Sequence, residues 1–192
     1  MDISPEIISL IDEIRNDRTH GDSQLARQAV NVLKVAAERS QADTTEHFLL
    51  EQKEVGERLM SVRPAMAPVF NIVSRLLSIM AGKAAEMDLD SARRLTISKA
   101  DEVTSNSLQA IAQIAEHGSE LIADGDRIMT HSYSSTVVAA LKRAFTKHRN
   151  IEVITTRSGP GRTGERIAQQ LGFAEYRLPL LMMWLWGFLY QR

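Results

Sequence analysis

Residues 124–170 read DGDRIMTHSYSSTVVAALKRAFTKHRNIEVITTRSGPGRTGERIAQQ, and this stretch decides the fold. Its β-branched runs and its helical pattern follow one another as strand, helix, strand, glycine-rich turn and helix. That order is the βαβ pattern of a parallel sheet. In open α/β sheets a small-molecule site lies outside the carboxyl ends of the strands. The sequence therefore predicts a site where these two strands end.

Upstream of this stretch, the apolar residues recur at the spacing of helices. The spacing predicts five helices: one from a Ser4 cap to about Asn16, one from an Asp22 or Ser23 cap to about Arg39, one capped by Thr44 or Thr45, one from about Pro68 to Gly82, and one from Asp90 to about His117. We therefore predict an α/β fold class. A helical bundle over residues 1–118 precedes a truncated Rossmann-like domain over residues 119–192, whose short parallel sheet has about three strands.

The composition is typical of a globular protein, with 44% hydrophobic and 24% charged residues in a chain of 192. The formal net charge is -1 and no window is dense in lysine and arginine, so we expect no direct binding of nucleic acid. Cysteine is absent, which excludes disulfides and a cysteine nucleophile. The five histidines lack metal-ligand spacing, and we predict no metal and no cofactor.

The ends of the chain predict a cytoplasmic protein without a membrane span. The first residues have no basic region followed by an apolar run, as a secretory signal would. Residues 178–190 read LPLLMMWLWGFLY, which is shorter than the roughly 20 apolar residues that a spanning helix needs.

Three glycines after the second strand, Gly159, Gly161 and Gly164, spell G-x-G-x-x-G, the pattern of a dinucleotide site. Two features oppose that interpretation. Pro160 lies inside the turn, and the acidic residue expected about twenty positions later is missing from an apolar tail. A plain glycine-rich turn is the favoured interpretation.

Three arginines, Arg157, Arg162 and Arg166, crowd the same turn. Guanidinium groups match phosphate oxygens bidentately, and the amino end of a helix adds backbone donors. The pattern therefore predicts a phosphate or sugar-phosphate site. The alternative is that these arginines are solvated or paired with Glu152 and Glu165.

His131 and Ser132 follow the first strand, where a base and a nucleophile could meet. Adjacent residues of a strand point to opposite faces, and the G-x-S-x-G elbow of hydrolases is absent. A helix-capping serine and a packed histidine are the favoured interpretation on spacing alone.

Four segments resemble one known family: NDRTHGDSQLARQA at 16–29, MTHSYSSTV at 129–137, ITTRSGPGRTGERIA at 154–168 and FAEYRLP at 173–179. This family joins the alpha, beta and delta regulatory subunits of translation initiation factor 2B with two sugar-phosphate isomerases. The isomerases act on ribose 1,5-bisphosphate and methylthioribose 1-phosphate. The resemblance implies an N-terminal helical domain, a Rossmann-like domain and dimers that in some members stack into larger rings.

The resemblance also assigns the site. Arg18, Gly21, Arg157 and Arg166 are the expected phosphate-binding residues, and His131 and Ser132 line the floor of the pocket. Ser132 stands where the isomerases have their catalytic cysteine, and the region that follows FAEYRLP lacks the aspartate of the isomerases. No catalytic residue is therefore expected.

We accordingly expect a regulatory or assembly protein that acts by protein–protein binding and has a possible site for a sugar phosphate or a nucleotide. Its partners are expected to be further copies of the chain or related subunits. The alternative is a sugar-phosphate aldose–ketose isomerase of nucleotide salvage. The family's sheet continues beyond the last residue of this sequence, so a dimer surface, a membrane-surface contact and the mark of a truncated reading frame stay open for the apolar tail.

Overall fold

The computed structural model describes residues 3–64, 66–147, 150–156, 163–172 and 180–181. It divides into two compact units, Met1–Leu108 and Gln109–Arg192. This division falls inside a long helix. The domain boundary after residue 118 stays a prediction.

The described part of the first unit is helical. Its helices are α1 (Pro5–Asn16), α2 (Asp22–Arg39), α3 (Thr45–Val62), α4 (Ala67–Lys83), a short 3-10 helix (Ala84–Glu86) and the first part of α5 (Leu89–Glu120). These bounds follow the predicted helices closely, because the spacing of apolar residues reports the buried face of each helix.

The helix caps agree with the sequence at two positions and differ at a third. The Ser4 hydroxyl accepts a hydrogen bond from the amide of Ile7 at 3.4 Å, and the Thr44 hydroxyl accepts one from His47 at 3.2 Å. The predicted Asp22 or Ser23 cap of α2 is wrong. Gly21 is the N-cap, without a side-chain cap bond, and Asp22 already lies in the first turn. A carboxylate there still favours the helix by its interaction with the helix dipole.

The core of the first unit lies around α2, which packs against α1, α3 and α4. Leu25, Leu33, Phe48, Leu59 and Leu76 are completely buried there. Apolar side chains of this size contribute about 1.5–3 kcal/mol each when fully buried. The bundle therefore has a substantial apolar core of its own.

The second unit contains a parallel sheet. Its described elements after α5 are β1 (Arg127–Thr130), α6 (Ser135–Thr146), β2 (Glu152–Thr156), α7 (Thr163–Leu171) and β3 (Leu180–Leu181). The strand order is β1-β2-β3, and Thr130 pairs in register with Thr155. Buried residues of α6, α7 and β2, such as Leu141, Ile167 and Val153, form the core. The predicted α/β class with a short parallel sheet is confirmed.

Across the described residues, we find no helix that combines the length and the apolar character needed to cross a bilayer. The apolar segment at 182–190 lies outside the described residues, as does the whole motif at 173–179.

Candidate functional site

The carboxyl ends of β1 and β2 are joined by a side-chain hydrogen bond. Nδ1 of His131, the residue directly after β1, lies 2.8 Å from the hydroxyl of Thr156 at the end of β2. The two strands run parallel, so both residues lie at the same edge of the sheet. This edge is where the sequence predicts the site, and His131 lies there as an exposed residue.

Ser132 has a left-handed backbone, with a φ of 64°. It is the one non-glycine residue with positive φ in the described part of the chain. This conformation costs an L-residue about 1–2 kcal/mol, and such strain is concentrated at functional sites. The chain turns at this serine from β1 towards α6.

The favoured interpretation of His131 and Ser132 as a packed histidine and a helix cap is wrong. His131 is exposed, and the cap of α6 is Ser134, whose hydroxyl accepts a hydrogen bond from the amide of Val137 at 3.4 Å. Two serines at nearby positions made the cap ambiguous in the sequence. The left-handed turn at Ser132 moves the cap two residues further along the chain.

The first turn of α7 lies directly against the end of β2. A Cβ atom built on Gly164 would lie 1.9 Å from the carbonyl oxygen of Thr156 and 2.9 Å from the hydroxyl of Thr155. No side chain fits in that space. Glycine at this position therefore allows the amino end of α7 to approach the edge of the sheet.

Arg166, on the same helix, stacks on the aromatic ring of Tyr133. Its guanidinium carbon lies 3.7 Å from the ring centroid, and the Tyr133 hydroxyl donates to the amide oxygen of Gln170 at 3.0 Å. A cation over an aromatic face is attracted by the ring's quadrupole, and stacking leaves the edge of the guanidinium free to donate. Tyr133 follows Ser132 in sequence, so Arg166 lies at the strand ends.

For Arg166, the alternative of an ion pair has no support among the described residues. No carboxylate in the described residues forms a salt bridge with it, and Glu152 instead pairs with Arg127 at 2.5 Å. Arg157 and Arg162 lie outside the described residues, together with Gly159 and Gly161.

The sheet edge thus collects groups that bind anions. The amino ends of α6 and α7 carry the positive end of each helix dipole, where backbone amides can bind an anion. Arg166 adds a guanidinium group held by Tyr133. Such an arrangement suits a phosphate group. Among the described residues, no cluster of three histidine, aspartate or glutamate side chains is placed to hold a metal ion.

Arg18 and Gly21 lie in the first unit, in the turn between α1 and α2. Arg18 lines a cavity of about 590 Å³, and the carbonyl of Gly21 begins α2 by accepting the amides of Gln24 at 3.0 Å and Leu25 at 3.1 Å. The turn itself is held by the carboxylate of Asp17. This carboxylate accepts the backbone amides of Thr19 at 2.6 Å and His20 at 2.8 Å.

The pKa of Asp17 is set by opposing effects. Burial disfavours the charged carboxylate and acts to raise the pKa, but hydrogen bonds from the ring and backbone of His20 and from Thr19 outweigh it. The net result is a pKa well below that of an ordinary aspartate. Asp17 is therefore an ionised, nearly buried anchor whose side chain is only 12% exposed.

Arg63 holds the same turn from the end of α3. Its guanidinium donates to the backbone carbonyl oxygens of Ile14 at 3.1 Å, Arg15 at 3.2 Å and Asp17. These carbonyls at the end of α1 have no partner within the helix. Arg63 thus acts as a side-chain cap at the end of α1. It fixes the position of the turn that carries Arg18.

A model of the initiation factor 2 subunit family matches residues 18–180 of the chain, a segment that contains both groups of candidate residues. The chain belongs to this family.

Relatives of this family member are named either as ribose 1,5-bisphosphate isomerases or as translation initiation factor eIF-2B proteins. Ribose 1,5-bisphosphate isomerase of Pyrococcus furiosus is 34% identical over 179 residues, which cover 92% of the chain and 54% of the relative. The solved structure of the translation initiation factor eIF-2B of Pyrococcus horikoshii is 26% identical, with a TM-score of 0.80 over 94% of the chain and 60% of that protein.

A third similarity concerns the fold alone. The tetrameric eIF2B-beta2-delta2 complex from C. thermophilum contains a chain that is 24% identical, with a TM-score of 0.73 over 91% of this chain and 59% of that one. The present family member spans about half the length of the curated relatives that it matches, 54% for the isomerase of Pyrococcus furiosus.

Several residues of these two clusters were not predicted from the sequence. Tyr133 contacts the predicted Arg166, and Thr156 contacts the predicted His131. No sequence pattern marks Tyr133 or Thr156 as a site residue, so only the fold identifies them. Asp17 and His20, by contrast, are three residues apart in the quoted segment NDRTHG. An aspartate that bonds backbone amides two and three residues ahead is a recognisable turn signal.

Proposed function

We propose that this family member binds a phosphorylated sugar or a nucleotide and acts through binding rather than through isomerisation. The single observation that carries the proposal is Ser132. It has the left-handed turn of a functional position at the end of β1, but carries a hydroxyl where the resemblance implies the isomerases' cysteine. This strained position carries no thiol.

The phosphate-binding residues that we propose are Arg18, Gly21, Arg157 and Arg166, with His131 and Ser132 at the pocket floor. The stacking of Arg166 on Tyr133 supports this assignment, because the ring positions the guanidinium without neutralising it. The close approach of α7 at Gly164 supports it too, since a helix amino end favours an anion.

The second candidate function is sugar-phosphate isomerisation. The 34% identity to a ribose 1,5-bisphosphate isomerase favours it. The residue at position 132 opposes it, because a serine hydroxyl is a far weaker acid than a thiol, whose pKa is about 8.5. A general acid or base contributes about 10²–10⁴-fold to a rate. We therefore expect no turnover above the buffer background.

Calorimetric titration tests the proposal. Ribose 1,5-bisphosphate and adenosine monophosphate are titrated separately into the chain, and we expect saturable binding of at least one of them. Arg166→Met keeps a long apolar side chain against Tyr133 but removes the donors, and we expect it to weaken binding. No heat of binding with either compound would contradict the proposal.

We further propose that the chain works in the cytoplasm as part of an oligomer of itself or of related subunits. In the described sheet β1 is an edge strand, and Met129 on it is 64% exposed. Edge strands expose unpaired backbone groups that a second chain can cover. Analytical ultracentrifugation tests this point, and a monomer at every concentration would contradict it.

A further inference from the structure

The hydrogen bond between His131 and Thr156 joins a surface ring to a buried hydroxyl. Each of the two residues directly follows one member of the register pair Thr130 and Thr155, and Oγ1 of Thr156 lies 2.8 Å from Nδ1 of His131. Thr156 is 2% exposed, whereas His131 is an exposed residue. The exposed ring is therefore tied to the interior of the sheet.

The Thr156 end of this bond is rigid. Threonine is branched at Cβ, which restricts the rotation of its side chain. Its backbone pairs with Leu181 of β3, and the first turn of α7 approaches its carbonyl oxygen so closely at Gly164 that a Cβ atom does not fit. Thr156 is therefore a fixed anchor for a ring that is otherwise exposed.

The bond leaves Nε2 as the ring nitrogen that a ligand can reach. Among the described residues, His131 forms a hydrogen bond through Nδ1 and none through Nε2. A hydroxyl can donate to an imidazole nitrogen or accept from it, so the bond holds the ring in either tautomer. A side chain that is mobile before binding loses rotational freedom when it contacts a ligand, and this loss weakens binding. A ring that is already held avoids that part of the cost.

We propose that Thr156 is a positioning residue, which fixes the ring of His131 so that Nε2 faces the bound ligand. The inference rests on the proposed function, in which His131 lines the floor of the pocket. Thr156 itself does not touch the ligand and acts only through His131. The ring is then ordered before the ligand binds, and a substitution of Thr156 changes the affinity only while His131 is present.

The order of the ring is measurable without a ligand. Thr156→Val keeps the branched shape of the side chain but removes the hydroxyl, whereas Thr156→Ser keeps the hydroxyl. Order parameters from ¹³C relaxation of the His131 ring report its motion on the picosecond to nanosecond timescale. We expect an ordered ring in the wild type and in Thr156→Ser, and a mobile ring in Thr156→Val. Equal order in all three proteins overturns the inference.

Thr155→Val is the matched control. Thr155 precedes Thr156 on β2 and is completely buried, but its hydroxyl donates to the backbone carbonyl of Thr156 at 3.5 Å and not to His131. We expect the ring of His131 to be as ordered in Thr155→Val as in the wild type. A ring that becomes equally mobile in Thr155→Val overturns the inference, because the loss of any buried hydroxyl from β2 would then loosen this edge.

A double-mutant cycle tests whether Thr156 acts through His131. Ribose 1,5-bisphosphate is titrated into the wild type, Thr156→Val, His131→Ala and the double variant. We expect Thr156→Val to weaken binding about 2- to 10-fold, the range that corresponds to ordering one side chain, and His131→Ala to weaken it at least as much. Adding Thr156→Val to His131→Ala is expected to have no further effect. Equal weakening by Thr156→Val with and without His131 overturns the inference, because a purely structural role predicts that result.

The two measurements separate this inference from the proposed function. If the wild type binds neither ribose 1,5-bisphosphate nor adenosine monophosphate, the proposed function fails, and the order parameters alone decide whether Thr156 positions the ring. If the wild type binds and Thr156→Val binds equally well, the proposed function stands and the inference is overturned.

Discussion

A Cβ atom on Gly164 would lie 1.9 Å from the carbonyl oxygen of Thr156, so the first turn of α7 and the end of β2 are in contact through a residue that cannot have a side chain. We expect Gly164→Ala to destabilise the second unit. Overpacking of this kind costs about 1–3 kcal/mol, and the atoms in the way belong to the backbone and cannot rotate aside. Thermal unfolding followed by circular dichroism measures the change.

Gly82→Ala is the control for this change. No atom lies within 4 Å of a Cβ built on Gly82, which is in the last turn of α4. Alanine in a helix is favoured over glycine by about 0.5–1 kcal/mol. Gly82→Ala is therefore expected to be neutral or stabilising, and equal melting temperatures for the two variants would show that the contact at Gly164 is not tight.

The strain at Ser132 predicts opposite effects for two substitutions. Glycine adopts a φ of 64° without steric cost, so Ser132→Gly is expected to raise the free energy of unfolding by about 1 kcal/mol. Ser132→Val places a β-branched residue in the same conformation and is expected to lower it. Chemical denaturation of the three proteins measures both, and a stabilising valine would exclude a left-handed backbone here.

The depressed pKa of Asp17 predicts a pH dependence. A carboxyl group whose pKa is lower in the folded than in the unfolded chain stabilises the fold above its unfolded value, here 3.8, and that contribution is lost as the pH falls towards the folded pKa. Asp17→Asn leaves the amides of Thr19 and His20 with a neutral, weaker acceptor and is expected to cost about 1–3 kcal/mol near pH 6. The difference from the wild type should shrink below about pH 4.

Asp43→Asn is the matched control for Asp17→Asn. Asp43 also bonds a histidine ring, and the hydrogen bond from His47 likewise lowers its pKa, but its side chain is 79% exposed. We expect a smaller loss of stability at every pH. A loss of stability in Asp43→Asn as large as that in Asp17→Asn would contradict this explanation. It would show that burial of the Asp17 carboxylate does not account for its contribution to stability.

Arg63 is expected to matter for the turn that carries Arg18. Arg63→Met keeps an unbranched apolar side chain but loses the three hydrogen bonds to carbonyl oxygens at the end of α1. Because a hydrogen bond from a charged donor contributes about 1.5–3 kcal/mol, we expect this substitution to lower the free energy of unfolding by at least that amount. Arg58→Met, which removes an exposed pair with Glu54 at 2.9 Å, is the comparison and is expected to cost less than about 1 kcal/mol. Urea denaturation distinguishes the two.

Local patterns in the sequence predicted the helices and the parallel sheet, because both depend on periodicities that lie within one element. Ser4 and Thr44 could be identified as caps for the same reason. The cap of α2 could not, since Gly21 has no side chain to indicate it, and the residues after it are ordinary capping types. The left-handed backbone at Ser132 has no signal in the residue type either.

Most features of the site that could not be predicted from the sequence are contacts between residues that are distant in sequence. The stacking of Arg166 on Tyr133 joins residues on different elements, and so does the bond between His131 and Thr156. The dyad of Asp17 and His20 is a different case. Its three-residue spacing is visible in the sequence, but this spacing does not indicate a metal site, and no other pattern in the sequence singles out His20.

The most direct test of the central claim is a ³¹P nuclear magnetic resonance spectrum of ribose 1,5-bisphosphate mixed with the chain, because this spectrum reports binding and isomerisation together. We predict that the phosphorus signals of the sugar shift and broaden with added protein, less so with Arg166→Met, and that no signal of the ketose isomer grows with time. Growth of the ketose signal above a protein-free sample would contradict the account by showing catalysis, and unchanged sugar signals would contradict it by showing no phosphate site.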